Sequence, residues 1–190
     1  MCIRDRWGAE EEGLVGSRWY VSHLSEAEVS TIALNLNFDM IASPNYVIGV
    51  YNGSSLLPGG SATSLRVDGE RGRAQAHGSA ALQRMFESKL EALGSAHVPV
   101  AFNGRSDYGP FLERGIPAGG LETGAEKLKT EAERSLFGGM PHVAYDPCYH
   151  QHCDTIENIS PAALAINVPA MAWAAQYLGT HTDLNGFLGR

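Results

Sequence analysis

The sequence predicts an α/β fold, a mostly parallel twisted sheet flanked by helices on both faces. Three observations predict it. Residues Ile32 to Asp39 alternate between apolar and polar in the period of a strand. Short β-rich runs follow at Tyr46 to Tyr51, Val98 to Phe102 and Ile116 to Leu121. Helical patterns fall between and after them, and strands alternating with helices build a sheet covered on both sides.

Taken in order, Met1 to Arg6 matches nothing around it. It lacks the layout of a signal peptide and the alternation of a strand leading into Trp7-Gly8-Ala9. Residues 1–6 therefore read as a non-native leader, and the chain is expected to start in the middle of a domain. In the first strand Ile32, Leu34, Leu36 and Phe38 point one way, with Ala33, Asn35, Asn37 and Asp39 on the other side. Asp39 stands at its carboxyl end. Tyr46 to Tyr51 closes at the turn signal Asn52-Gly53. Ser54 to Gly78 is polar, Gly-rich and aperiodic, and is expected to be a long surface loop. Ser79 to Leu93 carries Leu82, Met85, Phe86, Leu90 and Leu93 at helical spacing, with Gly94 as the stop. Ser106 or Asp107 is expected to cap a brief helix ending at Gly115. Ser160-Pro161 opens a helix running to about Leu178, with Pro169 as a kink.

Composition narrows the function classes. A chain of 190 residues with 44% hydrophobic and 18% charged content fits one globular domain. A net charge of −7 with scattered Lys and Arg excludes a nucleic-acid partner. No apolar run approaches the ~18 residues of a membrane span, so no membrane partner is expected.

In such sheets ligands sit beyond the carboxyl ends of strands. Three clusters could do chemistry there. The run Gly8-Ala9-Glu10-Glu11-Glu12-Gly13 places acids between glycines, Asp39 ends a strand, and Cys148-Tyr149-His150-Gln151-His152-Cys153 packs a phenol, two imidazoles and two thiols together. Glu, Asp and His are oxygen and nitrogen donors suited to zinc, with carboxylates left over for acid–base work. For Cys148 and Cys153 two readings stand: a local disulfide, or a zinc site with His150 and His152. Four ligands within six residues wrap one tetrahedral ion poorly, because structural zinc sites draw ligand pairs from separated segments.

The residues from Trp7 to Ser17 resemble the catalytic strand-loop of the two-zinc aminopeptidases of the bacterial secreted leucine aminopeptidase and aminopeptidase Y type. Leu36-Asn37-Phe38-Asp39-Met40-Ile41 resembles that family's second metal segment. The blocks from Gly104 to Phe111, from Gly115 to Leu121 and from Tyr145 to His150 are similar to its later ones, in the same order. The resemblance runs from Trp7 to about Leu178. It implies a zinc exopeptidase, phosphorylase-hydrolase-like three-layer sandwich whose first strands are missing here. It further implies that Glu10 is the general base, that Glu11 and His150 bind one zinc, and that Asp39 binds the other. Tyr149 corresponds to the phenol that stabilises the tetrahedral intermediate, and Arg105 to a substrate-positioning residue. The implied reaction is attack of a metal-bound hydroxide on the first peptide carbonyl of a substrate with a free N-terminus.

There are two departures. The family takes a His and a metal-bridging Asp from upstream of the Glu pair, and this chain shows neither, so the fragment is expected to be inactive. Glu122 stands where relatives carry an apolar residue near the specificity pocket, which speaks against a large apolar first residue. The expected organisation is a leader over 1–6, the C-terminal part of one zinc peptidase catalytic domain over 7–180, and a tail over 181–190. The protein is expected to be a secreted monomer with two zinc ions per complete site. Alternatives are a non-catalytic domain retaining the peptidase fold, and a glutaminyl-cyclase-like or carboxypeptidase-like relative.

Overall fold

The computed structural model describes residues 5–61, 65 and 67–190. The expected leader thus lies largely outside the described residues. The chain order is α1 (Val15–His23), α2 (Glu26–Thr31), β1 (Asn35–Phe38), β2 (Gly49–Tyr51), α3 (Gly69–Ala92), β3 (Val98–Val100), α4 (Tyr108–Glu113), β4 (Ala118–Glu122), α5 (Glu131–Phe137), α6 (Pro161–Gly179) and α7 (Leu184–Leu188). The sheet runs β1-β4-β2-β3. β1 pairs parallel with β4, and β2 parallel with β3, while β2 and β4 run antiparallel. Two of the three pairings are parallel, as expected, and the antiparallel third makes the sheet mixed.

Side-chain alternation divides the core between two faces. Val50 and Leu121 join Leu82, Phe86, Leu90, Ala170 and Ala174 on one side. Tyr51 and Ala118 join Ala76, Phe102, Tyr108 and Leu112 on the other. Helices therefore cover both faces, as expected, with α6 and the later turns of α3 on one, and α4 with the first turns of α3 on the other. Two adjacent glycines let β4 sit close to its neighbours. A Cβ on Gly119 would lie 2.7 Å from Leu82 Cβ, and one on Gly120 would lie 1.8 Å from the Asn37 carbonyl oxygen.

The expected surface loop over Ser54 to Gly78 is wrong at both ends. Gly53–Leu56 forms a 3-10 turn, and α3 begins at Gly69, ten residues before the expected Ser79. Its first turns bury small and polar residues that hide the helix from a hydrophobic count. Gln75 is fully buried and donates to the carbonyls of Leu65 and Leu112, at 3.0 and 2.6 Å. The expected tail also folds: Leu188 of α7 is fully buried in the core beside α3 and α6. Helix α6 starts where Ser160-Pro161 placed it, with Ser160 Oγ accepting from Ala163 N at 3.2 Å, and it continues through Pro169. Among the described residues, no helix is long and apolar enough to cross a membrane.

Candidate active site

The loop from Gly8 to Leu14 presents the Glu pair. It folds tightly because Glu10 O accepts from Gly13 N and Leu14 N, at 3.1 and 2.8 Å, and Gly8 O accepts from Gly16 N at 3.0 Å. Ala9 and Leu14 take left-handed backbone conformations, φ 54° and 60°, an uncommon state for residues other than Gly and one that turns often require. The second contribution is the loop between Tyr145 and Cys153. Asp146 Oδ1 accepts from Cys148 N and from Asn158 Nδ2, both at 2.9 Å, which fixes the loop's entry. Cys148 and Cys153 are bridged, with Cα atoms 5.3 Å apart. Of the two readings of these cysteines, this geometry favours the disulfide, in which neither sulfur is free to hold a zinc ion.

These two loops bring Glu11 and His150 together. His150 Nε2 and Glu11 Oε1 lie 2.6 Å apart, with the two side chains 52% and 59% exposed. The Tyr149 ring stacks on His150 at a centroid distance of 3.8 Å. Burial pushes the Tyr149 phenol up, as does Glu11, while Arg105 opposes them. Arg105 forms an exposed ion pair with Glu126 and lies beside Tyr149.

Asp39 follows β1. Glu122 ends β4, one residue beyond the Leu121–Phe38 pairing, so the two acids sit on neighbouring strands at the same end of the sheet. Burial, foremost, holds the Glu122 carboxyl up at about 7; Tyr51 opposes and Asp39 adds to it. Glu10 is also pushed up to about 7, by burial first and then by Asp39, Glu11 and Asp107, with His150 opposing. Glu10, Glu11, Asp39 and His150 therefore share one electrostatic neighbourhood.

The donors suit zinc in kind. A carboxylate oxygen and an imidazole nitrogen side by side, both reachable from solvent, match two ligands of one ion. They do not match it in number. Among the described residues, no group of three or more His, Cys, Asp or Glu side chains closes on a common point that could hold a metal. Of Glu10, Glu11, Asp39 and His150, the structure brings Glu11 and His150 into direct contact.

Sequence similarity bears on the same residues. The model for "Peptidase family M28" matches residues 6–174. The chain belongs to peptidase family M28. It is similar to leucine aminopeptidase 2 of Arthroderma otae, 44% identical over 182 residues, covering 95% of this chain and 34% of that protein. Leucine aminopeptidase 2 of Trichophyton rubrum is 45% identical over 182 residues, with 95% and 34% covered. Among solved structures, a zinc aminopeptidase from Bacillus subtilis superposes with a TM-score of 0.60 at 26% identity, covering 89% of this chain and 34% of that one. An aminopeptidase from Aneurinibacillus sp. strain AM-1 does so with a TM-score of 0.53 at 26% identity, over 90% and 32%. The chain spans about a third of the length of the curated relatives it matches.

In this M28 chain the turn before α4 holds Ser106 and Asp107, expected as caps of that helix, whose side chains turn elsewhere. Asp107 is the N-cap of α4 but makes no side-chain cap bond; its carboxylate accepts instead from Ser17 Oγ. Ser106 Oγ donates to Asp39 Oδ2 at 2.7 Å. Asn37, two residues before Asp39 and on the same side of β1, donates from Nδ2 to Ser106 Oγ at 2.9 Å. The period-2 alternation that put Asn37 beside Asp39 was the available signal. For Ser106 and Asp107, the signal was their place just after a strand.

Proposed function

We propose that the protein is a zinc aminopeptidase that hydrolyses the first peptide bond of substrates with a free N-terminus. The observation that carries this reading is the meeting of Glu11 with His150 beside Glu10, in a chain of peptidase family M28. Glu11 and His150 would hold one zinc ion and Asp39 a second. A further His and a further carboxylate would complete the set. Zinc held there supplies Lewis acidity and acidifies water.

The chain's own residues supply the rest. A carboxyl group with a pKa near 7 suits a general base at neutral pH, which fits Glu10 for taking and returning a proton. Tyr149, pushed up by burial, stays protonated and can donate to an oxyanion forming on the substrate carbonyl. Glu10, Asp39 and Asp107 together set up a negative field that favours an incoming α-ammonium group. Arg105, tied to Glu126 and beside Tyr149, positions the substrate chain. Glu122 places a half-buried carboxylate beside Asp39, which disfavours a large apolar first side chain. The Cys148–Cys153 bridge supports secretion into an oxidising compartment.

The test is turnover of an aminoacyl anilide by the full-length protein, with and without a chelator, beside its N-acetylated analogue. The reading expects zinc-dependent release from the free amine alone. Equal cleavage of the blocked substrate, or turnover indifferent to chelation, would rule it out.

A further inference from the structure

Two stretches of the chain carry an asparagine followed two residues later by a serine, with no proline between: Asn52-Gly53-Ser54 and Asn158-Ile159-Ser160. This pattern marks an acceptor for N-linked glycosylation in a secreted protein. The structure treats the two amides in opposite ways. Asn52 follows β2, and its Oδ1 accepts from Ser55 N at 3.1 Å, which leaves Nδ2 over. Nδ2 donates to none of the described residues and is not among their buried unpaired polar atoms, so it opens to solvent. Ser54 is exposed, and its hydroxyl bonds to none of the described residues. The turn itself is firm. Ser54 N donates to Gln83 Oε1 at 2.9 Å, and a Cβ on Gly53 would lie 2.0 Å from the Ser79 carbonyl oxygen. Ser79 Oγ in turn accepts from Ala118 N at 3.0 Å, at the first residue of β4, whereas Glu122 is the last. A group on Asn52 therefore leaves the sheet at the end away from Asp39 and Glu122.

The Asn158 amide is fully engaged. Nδ2 donates both of its protons, to Asp146 Oδ1 at 2.9 Å and to Asp154 Oδ1 at 3.3 Å. A sugar on that nitrogen would replace one of them. It would also add bulk beside Asp146, which is buried and fixes the entry of the loop carrying Tyr149 and His150. The Ser160 hydroxyl is taken as well: it caps α6 by accepting from Ala163 N at 3.2 Å, and Pro161 restricts the Ser160 backbone. The sugar is added to the unfolded chain, so the fold decides which modified asparagine it can accommodate.

We propose that the folded, secreted protein carries an N-linked oligosaccharide on Asn52 and none on Asn158. The donor is a lipid-linked oligosaccharide diphosphate in the lumen of a eukaryotic secretory pathway. A bond forms between Asn52 Nδ2 and the anomeric carbon, and the bond from that carbon to the diphosphate oxygen breaks. The lipid diphosphate leaves with the electron pair, and one Nδ2 proton goes to a base. The inference rests on the secretion that the Cys148–Cys153 bridge supports and on the fungal sources of the relatives, and it is independent of zinc.

The experiment uses the full-length protein expressed through the secretory pathway of yeast. Enzymatic release of N-glycans in heavy-oxygen water turns each glycosylated asparagine into a labelled aspartate, which peptide mass spectrometry locates. The expected result is label at Asn52 and none at Asn158. Ser54→Ala should abolish the label at Asn52 and remove one glycan's mass from the intact protein, whereas Ser54→Thr, which keeps the hydroxyl, should retain both. The wild-type map decides the matter even if Ser54→Ala fails to fold. A secreted wild type with Asn52 unlabelled, or with Asn158 labelled, overturns this inference alone. A wild type that stays in the cytosol with neither asparagine labelled would sink the reading of secretion and this inference together.

Discussion

The Glu11 carboxylate and the His150 imidazole, 139 positions apart in the chain, meet at 2.6 Å on the solvent-facing side of the site. Neither belongs to a strand or a long helix. Each sits on a short loop tied down by its own backbone hydrogen bonds, and one of these loops is closed by a disulfide. In open α/β sheets ligands sit in the loops beyond the carboxyl ends of the strands.

In the full-length protein, Glu10→Gln should retain metal and lose about 10²–10⁴-fold in turnover, the usual worth of a general base. The amide keeps the shape but cannot accept the proton. Turnover and metal content measured on the same preparation check this, and a variant that loses zinc in parallel with activity would move Glu10 from base to ligand.

Glu11→Ala and His150→Ala should each lower metal content, because each removes one half of the pair. The 190-residue chain by itself should hold fewer than two zinc ions and release no amino acid, since no three donors among its described residues converge. Metal analysis of the purified chain, with an anilide assay, tests this. Robust turnover with two bound ions would mean that a further histidine of this chain completes the site.

Glu122→Gln should raise stability at neutral pH and flatten its pH dependence. The folded Glu122 carboxyl sits at about 7 against an ordinary value of 4.5. The native state therefore holds a proton that the unfolded chain has released, and its stabilising contribution is fully present below about 4.5 and lost as pH rises through about 7. The loss is on the order of 3 kcal/mol. Urea unfolding at pH 5 and pH 8 should show the wild type losing more stability than the variant; parallel losses would refute the assignment.

Reducing the Cys148–Cys153 bridge should cost only about 2 kcal/mol of global stability, given the short loop it closes. Its effect on metal binding should be larger, because Tyr149 and His150 lie inside that loop. Unfolding midpoints and metal affinity compared with and without a reductant separate the two effects.

Leu188→Ala should destabilise by about 2–5 kcal/mol, as for other fully buried leucines. A near-neutral effect in thermal unfolding would return residues 181–190 to the status of a loose tail.

Several elements were legible because their signals are local. The alternation of β1, the Ser160-Pro161 start of α6 and the carboxyl-end position of Asp39 all lie within a few consecutive residues. Two missed helices carried local signals as well: Ser25 with Glu28 and Thr130 with Glu133 form capping boxes at the starts of α2 and α5. The first half of α3 was illegible for a physical reason. Its buried face is made of Gly72, Gln75, Ala76, Gly78 and Ser79, and small or polar side chains are core residues only when a partner backbone comes close enough to meet them.

The sequence by itself determined the α/β class, the order of the motif blocks and the chemical identity of the candidate site residues Glu10, Glu11, Asp39, Tyr149 and His150. Tertiary structure alone decided that β2 runs against β4, that α3 starts at Gly69 and that the last residues pack as α7. It also decided that the side chains of Ser106 and Asp107 bond to Asp39 and Ser17 rather than capping their own helix. A side chain's type and its place in a periodic pattern are properties of consecutive residues. Which lone pair it fills depends on a partner 67 or 90 positions away, and only the packing of α1, α4 and β1 around the sheet brings those partners within hydrogen-bond reach.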